Sequence, residues 1–258
     1  MTTAVRQRLA VVTGGSSGIG LATVARLLNE GHKVALFGQN PEHVANAEGV
    51  LSAQFDAENI FARTIDITAP AEIEDFFHEL RQTWIMPDIL VCNAGVSPKG
   101  KGGPTPFPEI TLEEWHSVLA VNLTGAMLCC QAVLPPMMER GFGRIIFVSS
   151  LAGRTIPRIA GTAYTTSKSA LAGLARSLVA ASAGHGMTIN LVAPGRIATD
   201  MAGPPDSQIN RAAIARIPVG RIGTPDDVAA AISFLVSEGA GFINGAVLDI
   251  NGGEFAPL

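Results

Sequence analysis

Tyrosine occurs once in these 258 residues, at Tyr164, although there are 11 phenylalanines. Lysine is almost as scarce: Lys33, Lys99, Lys101 and Lys168 are the whole complement. Charged residues make up 16% of the chain and the net charge is −4, which leaves no basic face for a nucleic-acid backbone. The three cysteines, Cys92, Cys129 and Cys130, lack the spacing of a metal or redox motif, so no metal site is expected. No apolar run reaches the ~18 residues of a membrane span. The start, MTTAVRQR, leads through a short apolar run into glycines, without a signal-like stretch and cleavage site. The expectation is a cytoplasmic chain with no nucleic-acid, membrane or metal partner.

What the chain has in quantity is apolar residues, 47%, and 28 glycines. An apolar strand over 9–12 meets a glycine turn and a helix over 19–30, which Gly31 stops. Gly14, Gly18 and Gly20 have the spacing G-x-x-x-G-x-G. Glycines allow a tight turn and close backbone approach, and the helix N-terminus beyond them, at Ile19, would face a pyrophosphate. Ser16 and Ser17 add hydroxyl donors. A second strand, 33–37, ends in Gly38-Gln39-Asn40. A carboxylate there would hold the ribose of NAD and an arginine would favour NADP; neither is present, and the missing carboxylate leans to NADP.

A third strand, 60–65, ends at Asp66-Ile67, where Asp66 either accepts from an adenine amino group or caps the helix over 70–82. The fourth, 88–92, closes in Asn93-Ala94-Gly95. Small residues there let a cofactor ribose lie against the backbone; alternatively Asn93 makes an Asx-turn. The stretch 96–108 is a proline- and glycine-rich loop in which Lys99 and Lys101 read as solvated. Thr111 and Glu114 form a capping box for a helix running towards Arg140. Asn122, on an apolar face of that helix, is either satisfied internally or bends the helix to bind water.

After an apolar strand at 144–148 comes the stretch around which the rest is organised, residues 149–168, SSLAGRTIPRIAGTAYTTSK. It enters a small-residue helix over 163–183, on which Tyr164 and Lys168, four apart, share a face. A buried ammonium is costly without a partner or a task. Beside a phenol it would pull the phenol pKa down from ~10. With Ser150 holding a substrate oxygen, the pair would make an acid/base site for interconverting a carbonyl and an alcohol. The alternative is a buried tyrosine and a lysine that snorkels to solvent. A further strand, 188–193, ends in Pro194-Gly195-Arg196-Ile197-Ala198-Thr199 on the same sheet edge. Residues 201–216 read as a lid, Thr224, Pro225 and Asp227 start another helix, and 246–250 is the last strand. Apolar strands alternating with helices argue an α/β fold with a parallel sheet covered on both faces.

Thr13-Gly14-x-x-x-Gly18-x-Gly20, Asn93-Ala94-Gly95, Asn122, Ser150, Tyr164-x-x-x-Lys168 and Pro194-Gly195 together resemble the short-chain dehydrogenase/reductase family, over almost the whole chain. The resemblance implies one Rossmann-type, doubly wound domain over 1–258 with a seven-stranded parallel sheet and a substrate lid around 200–216. It also implies NADP or NAD as cofactor, a small carbonyl or alcohol substrate, and a homotetramer. By the same resemblance Tyr164 is the general acid/base, Lys168 lowers its pKa and binds the nicotinamide ribose, and Asn122 holds a relay water. Ser150, rather than Ser149, orients the carbonyl, because Gly153 follows it by three. Asp66 and Ile67 flank adenine, Asn93 and Gly95 lie along the adenosine ribose, and Ile197 and Thr199 meet the carboxamide and phosphate.

Residues 217–253 further resemble 3-oxoacyl-carrier-protein reductases. However, Gly141 follows Arg140, His185 stands where an arginine is expected, and the 96–108 insert is longer than usual. Three functions are therefore to be separated: a ketone/alcohol oxidoreductase, a reductase of carrier-bound 3-oxoacyl groups, and a cofactor-binding regulator without turnover. Arg154 and Arg158, in the loop before Tyr164, are candidates to meet an anionic substrate.

Overall fold

Runs of β-branched and aliphatic residues between glycine-rich turns become seven parallel strands, each returning through a helix. The computed structural model describes residues 7–100 and 103–257. The strands are Leu9–Thr13 (β1), Lys33–Gly38 (β2), Ile60–Thr64 (β3), Ile89–Cys92 (β4), Gly143–Val148 (β5), Met187–Pro194 (β6) and Val247–Ile250 (β7). Their order in the sheet is β3-β2-β1-β4-β5-β6-β7, and every pairing is parallel. The helices are Gly18–Asn29 (α1), Pro41–Ser52 (α2), Pro70–Thr83 (α3), Leu112–Leu119 (α4), Gly125–Arg140 (α5), Thr162–Ala181 (α6), Gln208–Ile214 (α7) and Pro225–Val236 (α8). The expected seven-stranded, doubly wound α/β sheet is what forms.

Side chains alternate across each strand, so every strand serves two cores. Leu9 and Val11 of β1 face a layer that includes Phe76 and Leu80 of α3, Val133 and Met137 of α5, and Leu171 of α6. Ala10 and Val12 face the opposite layer, with Leu27 of α1, Leu51 of α2 and Ile232 of α8. Two-sided burial is why the strands read as continuous apolar runs rather than alternating ones.

One expected element is broken. In place of a continuous helix from 111 to 140, α4 and α5 are joined by a π-helical turn, Ala120–Thr124, with Asn122 buried inside it. The stretch Leu112–Arg140 is long and apolar enough on composition to cross a membrane, with a mean hydropathy of 1.7. In the fold Cys129, Cys130, Val133 and Met137 of this stretch lie in the core against the sheet.

Topology sets the place of the site. From β1 the chain moves outward to β2 and β3, and β4 then starts on β1's other side. The loops leaving β1 and β4 therefore part at the carboxyl edge and leave a crevice between them.

Candidate active site

The crevice opens into a cavity of about 980 Å³. Its first wall is the turn after β1. Gly14 and Gly18 have φ of +61° and +52°, backbone that L-residues with a side chain rarely adopt. At Gly20 an added Cβ would lie 2.1 Å from the Gly14 carbonyl oxygen, so only hydrogen fits. The turn is fastened to the loop after β4. Asn93 Nδ2 donates to the carbonyls of Thr13 and Gly14 at 3.1 and 3.0 Å. Thr13 Oγ1 accepts from the amides of Asn93 and Ala94 at 3.0 and 2.9 Å. Asn93 is thus a cross-loop tie, not an Asx-turn. Helix α1 starts here with Ser17 at its N-cap, no side-chain cap and no acid in its first turn. Ser16, Ser17, Gly18 and Ile19 all line the cavity. Uncapped N–H groups and the positive helix end therefore face open space, which fits the pyrophosphate of a dinucleotide.

Gly38, Gln39 and Asn40 line the neighbouring end. Asn40 Oδ1 is occupied as the cap of α2, accepting from Glu42 and His43. Gln39 Nε2 donates to Asp66 at 3.2 Å, and the same carboxylate accepts from the Thr68 amide and hydroxyl. Asp66 is therefore not the cap of α3, whose N-cap position is Ala69, and it stands behind the wall that Ile65 and Ile67 form. No lysine or arginine lines this end among the described residues.

Deeper in, Ala94 and Gly95 line the cavity beside the acid/base candidates. A Cβ at Gly95 would sit 3.1 Å from Lys168 Nζ and 3.4 Å from Asn122 Oδ1, so glycine here lets the ammonium approach. Lys168 is 4% exposed and Nζ donates to the Val148 carbonyl at 2.8 Å. Burial pulls its pKa down to about 8. It does not snorkel. Asn122 is satisfied internally: Oδ1 accepts from the Val96 amide at 2.8 Å, and Nδ2 donates to the Val96 carbonyl and Ser167 Oγ, both at 3.0 Å. This ties the π turn to the loop after β4 and to α6.

The two serines after β5 divide cleanly. Ser149 Oγ is buried and donates to the Lys168 carbonyl at 2.8 Å. Ser150 lines the cavity with Tyr164, and its Oγ accepts from the Ala152 amide at 3.2 Å. Burial pushes the Tyr164 phenol above its ordinary pKa, and the Ser150 hydroxyl pulls it part of the way back. This differs from the sequence-based expectation, in which Lys168 was to lower it. The physical reason is burial of the phenol, which Lys168 Nζ, held by the Val148 carbonyl and 5.8 Å from the Tyr164 ring centre, does not offset.

The remaining wall comes from distant parts of the chain. Pro194, Gly195, Ile197 and Thr199 line it as expected, and Thr199 closes against the glycine turn, 3.1 Å from where a Gly18 Cβ would lie. Past them, residues 200–216 contain a short turn, Asp200–Ala202, and α7. Arg196 donates to Asn210 Oδ1 at 2.8 Å and to the Ala202 carbonyl, Arg216 pairs with Glu254 at 3.0 Å, and Lys99 reaches the Met201 carbonyl at 3.4 Å. Lys99 is exposed, as expected, and that one long contact is its hydrogen bond among the described residues; Lys101 lies outside them. Arg154 is not free for a ligand, because both its Nε and Nη2 donate to Asp249, at 3.1 and 2.9 Å.

The fold therefore gathers nearly all the expected residues around one cavity. Gly20, Asp66 and Asn122 stand behind the wall as supports. Sequence reasoning did not single out Ser167, Val96 or the Val148 carbonyl, which position Asn122 and Lys168. Thr165, Thr166 and Ser169 around it are polar too, so nothing local marks Ser167, and the two backbone partners leave no signal either.

A family model described as enoyl-(acyl carrier protein) reductase matches residues 14–254. Among curated proteins the chain is 35% identical to an acetoacetyl-CoA reductase of Rhizobium meliloti, over 96% of this chain and 98% of that one. It is also 35% identical to a cis-4-hydroxycyclohexanecarboxylate dehydrogenase of Sinomonas cyclohexanicum, over 99% and 100%. A solved 3-oxoacyl-[acyl-carrier protein] reductase with bound NAD, from Brucella melitensis, superposes with a TM-score of 0.88 at 29% identity, over 98% and 94% of the two chains. With this match, the cradle for a nicotinamide dinucleotide and the seven-stranded sheet, the chain belongs to the short-chain dehydrogenase/reductase family and is an NAD(P)-dependent oxidoreductase that interconverts ketones and secondary alcohols.

Proposed function

We propose that Tyr164 is the general acid/base of this interconversion and that Ser150, Lys168 and Asn122 complete its machinery. The observation that carries the reading is that Ser150, Tyr164 and the buried Lys168 line one cavity whose other end accepts a dinucleotide. When bound, the nicotinamide supplies or takes the hydride. In reduction the Ser150 hydroxyl holds the carbonyl oxygen and the Tyr164 phenol donates its proton to it. Burial keeps that proton on the phenol at neutral pH, the form reduction needs. Once the proton has left, the Ser150 hydroxyl stabilises the phenolate, and the positive Lys168 would hold the nicotinamide ribose. Asn122 acts by position, holding the π turn and Ser167 so that Lys168 stays in place; a relay water would use the remaining lone pair of its Oδ1.

Cofactor choice rests on Gln39. Gln39 itself carries no charge to repel a 2′-phosphate, which favours NADP, although the Asp66 carboxylate 3.2 Å from it weakens that preference. With no lysine or arginine there, the preference is small. Residues 200–216 serve as the lid of a single cytoplasmic domain. Exposed Phe234, Phe242 and Leu248, on and beside the β7 edge, support a homotetramer. The carrier-protein reading has likeness in its favour. Against it, the Arg140 guanidinium donates to the Pro87 carbonyl and lies 3.5 Å from Asp88, so it is not free to dock an acidic partner.

Steady-state turnover of a ketone panel with NADPH and NADH tests the reading. Tyr164→Phe is expected to lower kcat by roughly 10²–10⁴ while NADPH still binds, as seen by its fluorescence. A variant that keeps a tenth of wild-type turnover removes Tyr164 from the role.

A further inference from the structure

The two ends of the cavity differ in charge. The pyrophosphate end has no lysine or arginine in its wall among the described residues. Apart from Lys168, the cations of the wall all stand at the other end: Lys99, Arg158, Arg196 and Arg216, against the two carboxylates of Asp200 and Glu254. Glu254 is taken by Arg216. Arg196 is fastened to Asn210 and the Ala202 carbonyl, and Lys99 to the Met201 carbonyl.

Arg158 is different. It is exposed, lines the cavity, and has no hydrogen bond or ion pair among the described residues. Its loop runs from Ser150 to Tyr164 and is anchored below it by Arg154 on Asp249. Around it the loop offers the cavity Ile156, Pro157, Ile159 and Ala160, with Thr155 beside them, a mainly carbon surface with one cation in it. An apolar frame bearing a remote anion complements that surface, and a guanidinium fork matches carboxylate and phosphate oxygens in pairs.

We propose that the substrate carries an oxyanion, a carboxylate or a phosphate, remote from its reacting carbonyl, and that Arg158 receives it at the cavity wall. This rests on the assignment of Ser150 and Tyr164 to the reacting oxygen. The pyrophosphate does not compete for Arg158, because its cradle is the glycine turn and the start of α1, on the other side of Gly95 and Lys168. The surplus of positive charge also steers an anion inward, an effect that weakens with salt.

Two matched pairs test it: 4-oxocyclohexanecarboxylate against its methyl ester, and acetoacetyl-CoA against the uncharged acetoacetyl N-acetylcysteamine thioester. In the wild type the anionic member of at least one pair is expected to lead in kcat/KM by about tenfold or more, chiefly through KM, and less so at high salt. The first pair identifies a carboxylate, the second a phosphate. Arg158→Gln should bring that ratio close to one and Arg158→Lys should keep part of it. Turnover of the uncharged members with no advantage for either anion overturns the proposal and leaves the dehydrogenase reading intact. An advantage that survives in Arg158→Gln also overturns it. No turnover of any of the four removes the underlying reading of the site instead.

Discussion

At the pyrophosphate end of the cavity a glycine turn presents bare main chain; at the substrate end the wall is side chain. Gly14, Gly18 and Gly20 strip the first end to backbone, and two polar side chains, Thr13 and Asn93, hold its loops together. The second end is assembled by pairs far apart in the chain: Arg154 with Asp249, Arg216 with Glu254, Arg196 with Asn210. A glycine turn of this kind admits few sequences, because a side chain at Gly14 or Gly20 collides and Gly14 and Gly18 need a positive φ. A side-chain wall can be rebuilt residue by residue on the same scaffold. This difference explains how relatives with one hydride chemistry come to bear the names of different substrates.

The largest test of the contrast is Gly20→Ala. Its Cβ would stand 2.1 Å from the Gly14 oxygen and 2.6 Å from Asn93 Nδ2, so the turn must open. Overpacking of this kind costs about 1–3 kcal/mol, which, taken from cofactor binding, is a loss of up to roughly 100-fold. NADPH fluorescence titration measures it. Affinity within about twofold of wild type would mean that the turn is not the rigid wall described.

Legibility in the sequence follows the same division. The glycine turn, the strand runs and the Tyr164–Lys168 spacing were readable because each is a local demand: a missing side chain, a run of core residues, a helical repeat. Asp66 was not resolved from sequence, since its carboxylate settles on Gln39, 27 positions earlier, as well as on Thr68. For Asn122 the sequence left a bend and internal satisfaction as alternatives, and the structure has both, because the partners that hold the π turn, Val96 and Ser167, are distant in the chain. Arg154 read as equivalent to Arg158 until Asp249, 95 positions away, claimed it. Long-range partners carry no local signal.

Lys168 stands where the two ends meet, and its titration probes both. Burial lowers its pKa to about 8, whereas the Tyr164 phenol is raised. Reduction needs the phenol protonated, and that condition holds past neutral pH. It also uses the Lys168 charge, which is lost as pH rises through about 8. Reductive kcat/KM should therefore be level below that value and fall above it, approaching about tenfold per pH unit. A profile level to pH 10, or a limb left in place by Lys168→Arg, would detach this charge from the reaction.

Arg154→Ala sharpens the separation of the two ends. It removes a two-point, charge-assisted contact that is partly buried and anchors the substrate loop to β7. Such contacts contribute roughly 1–2 kcal/mol when partly exposed, so KM for the ketone should rise about fivefold or more. The dissociation constant for NADPH should stay within about twofold. An equal loss in both constants would show that the loop supports the whole cavity rather than one end.

The smallest expected effect comes from a glycine that belongs to neither end. Gly49 lies exposed in α2, and a Cβ there meets nothing within 4 Å. Its backbone is helical, so alanine adopts it without strain and lowers the entropy of the unfolded chain. Gly49→Ala should therefore stabilise the protein by roughly 0.5–1 kcal/mol. For a chain of this size that is a rise of about 1–4 °C in Tm, readable by thermal denaturation. Cofactor affinity and ketone KM should not move. If Tm falls instead, α2 is packed against something that its open surface does not reveal. If NADPH affinity falls with it, the glycines of the turn are not special in kind, and the contrast with Gly20 fails.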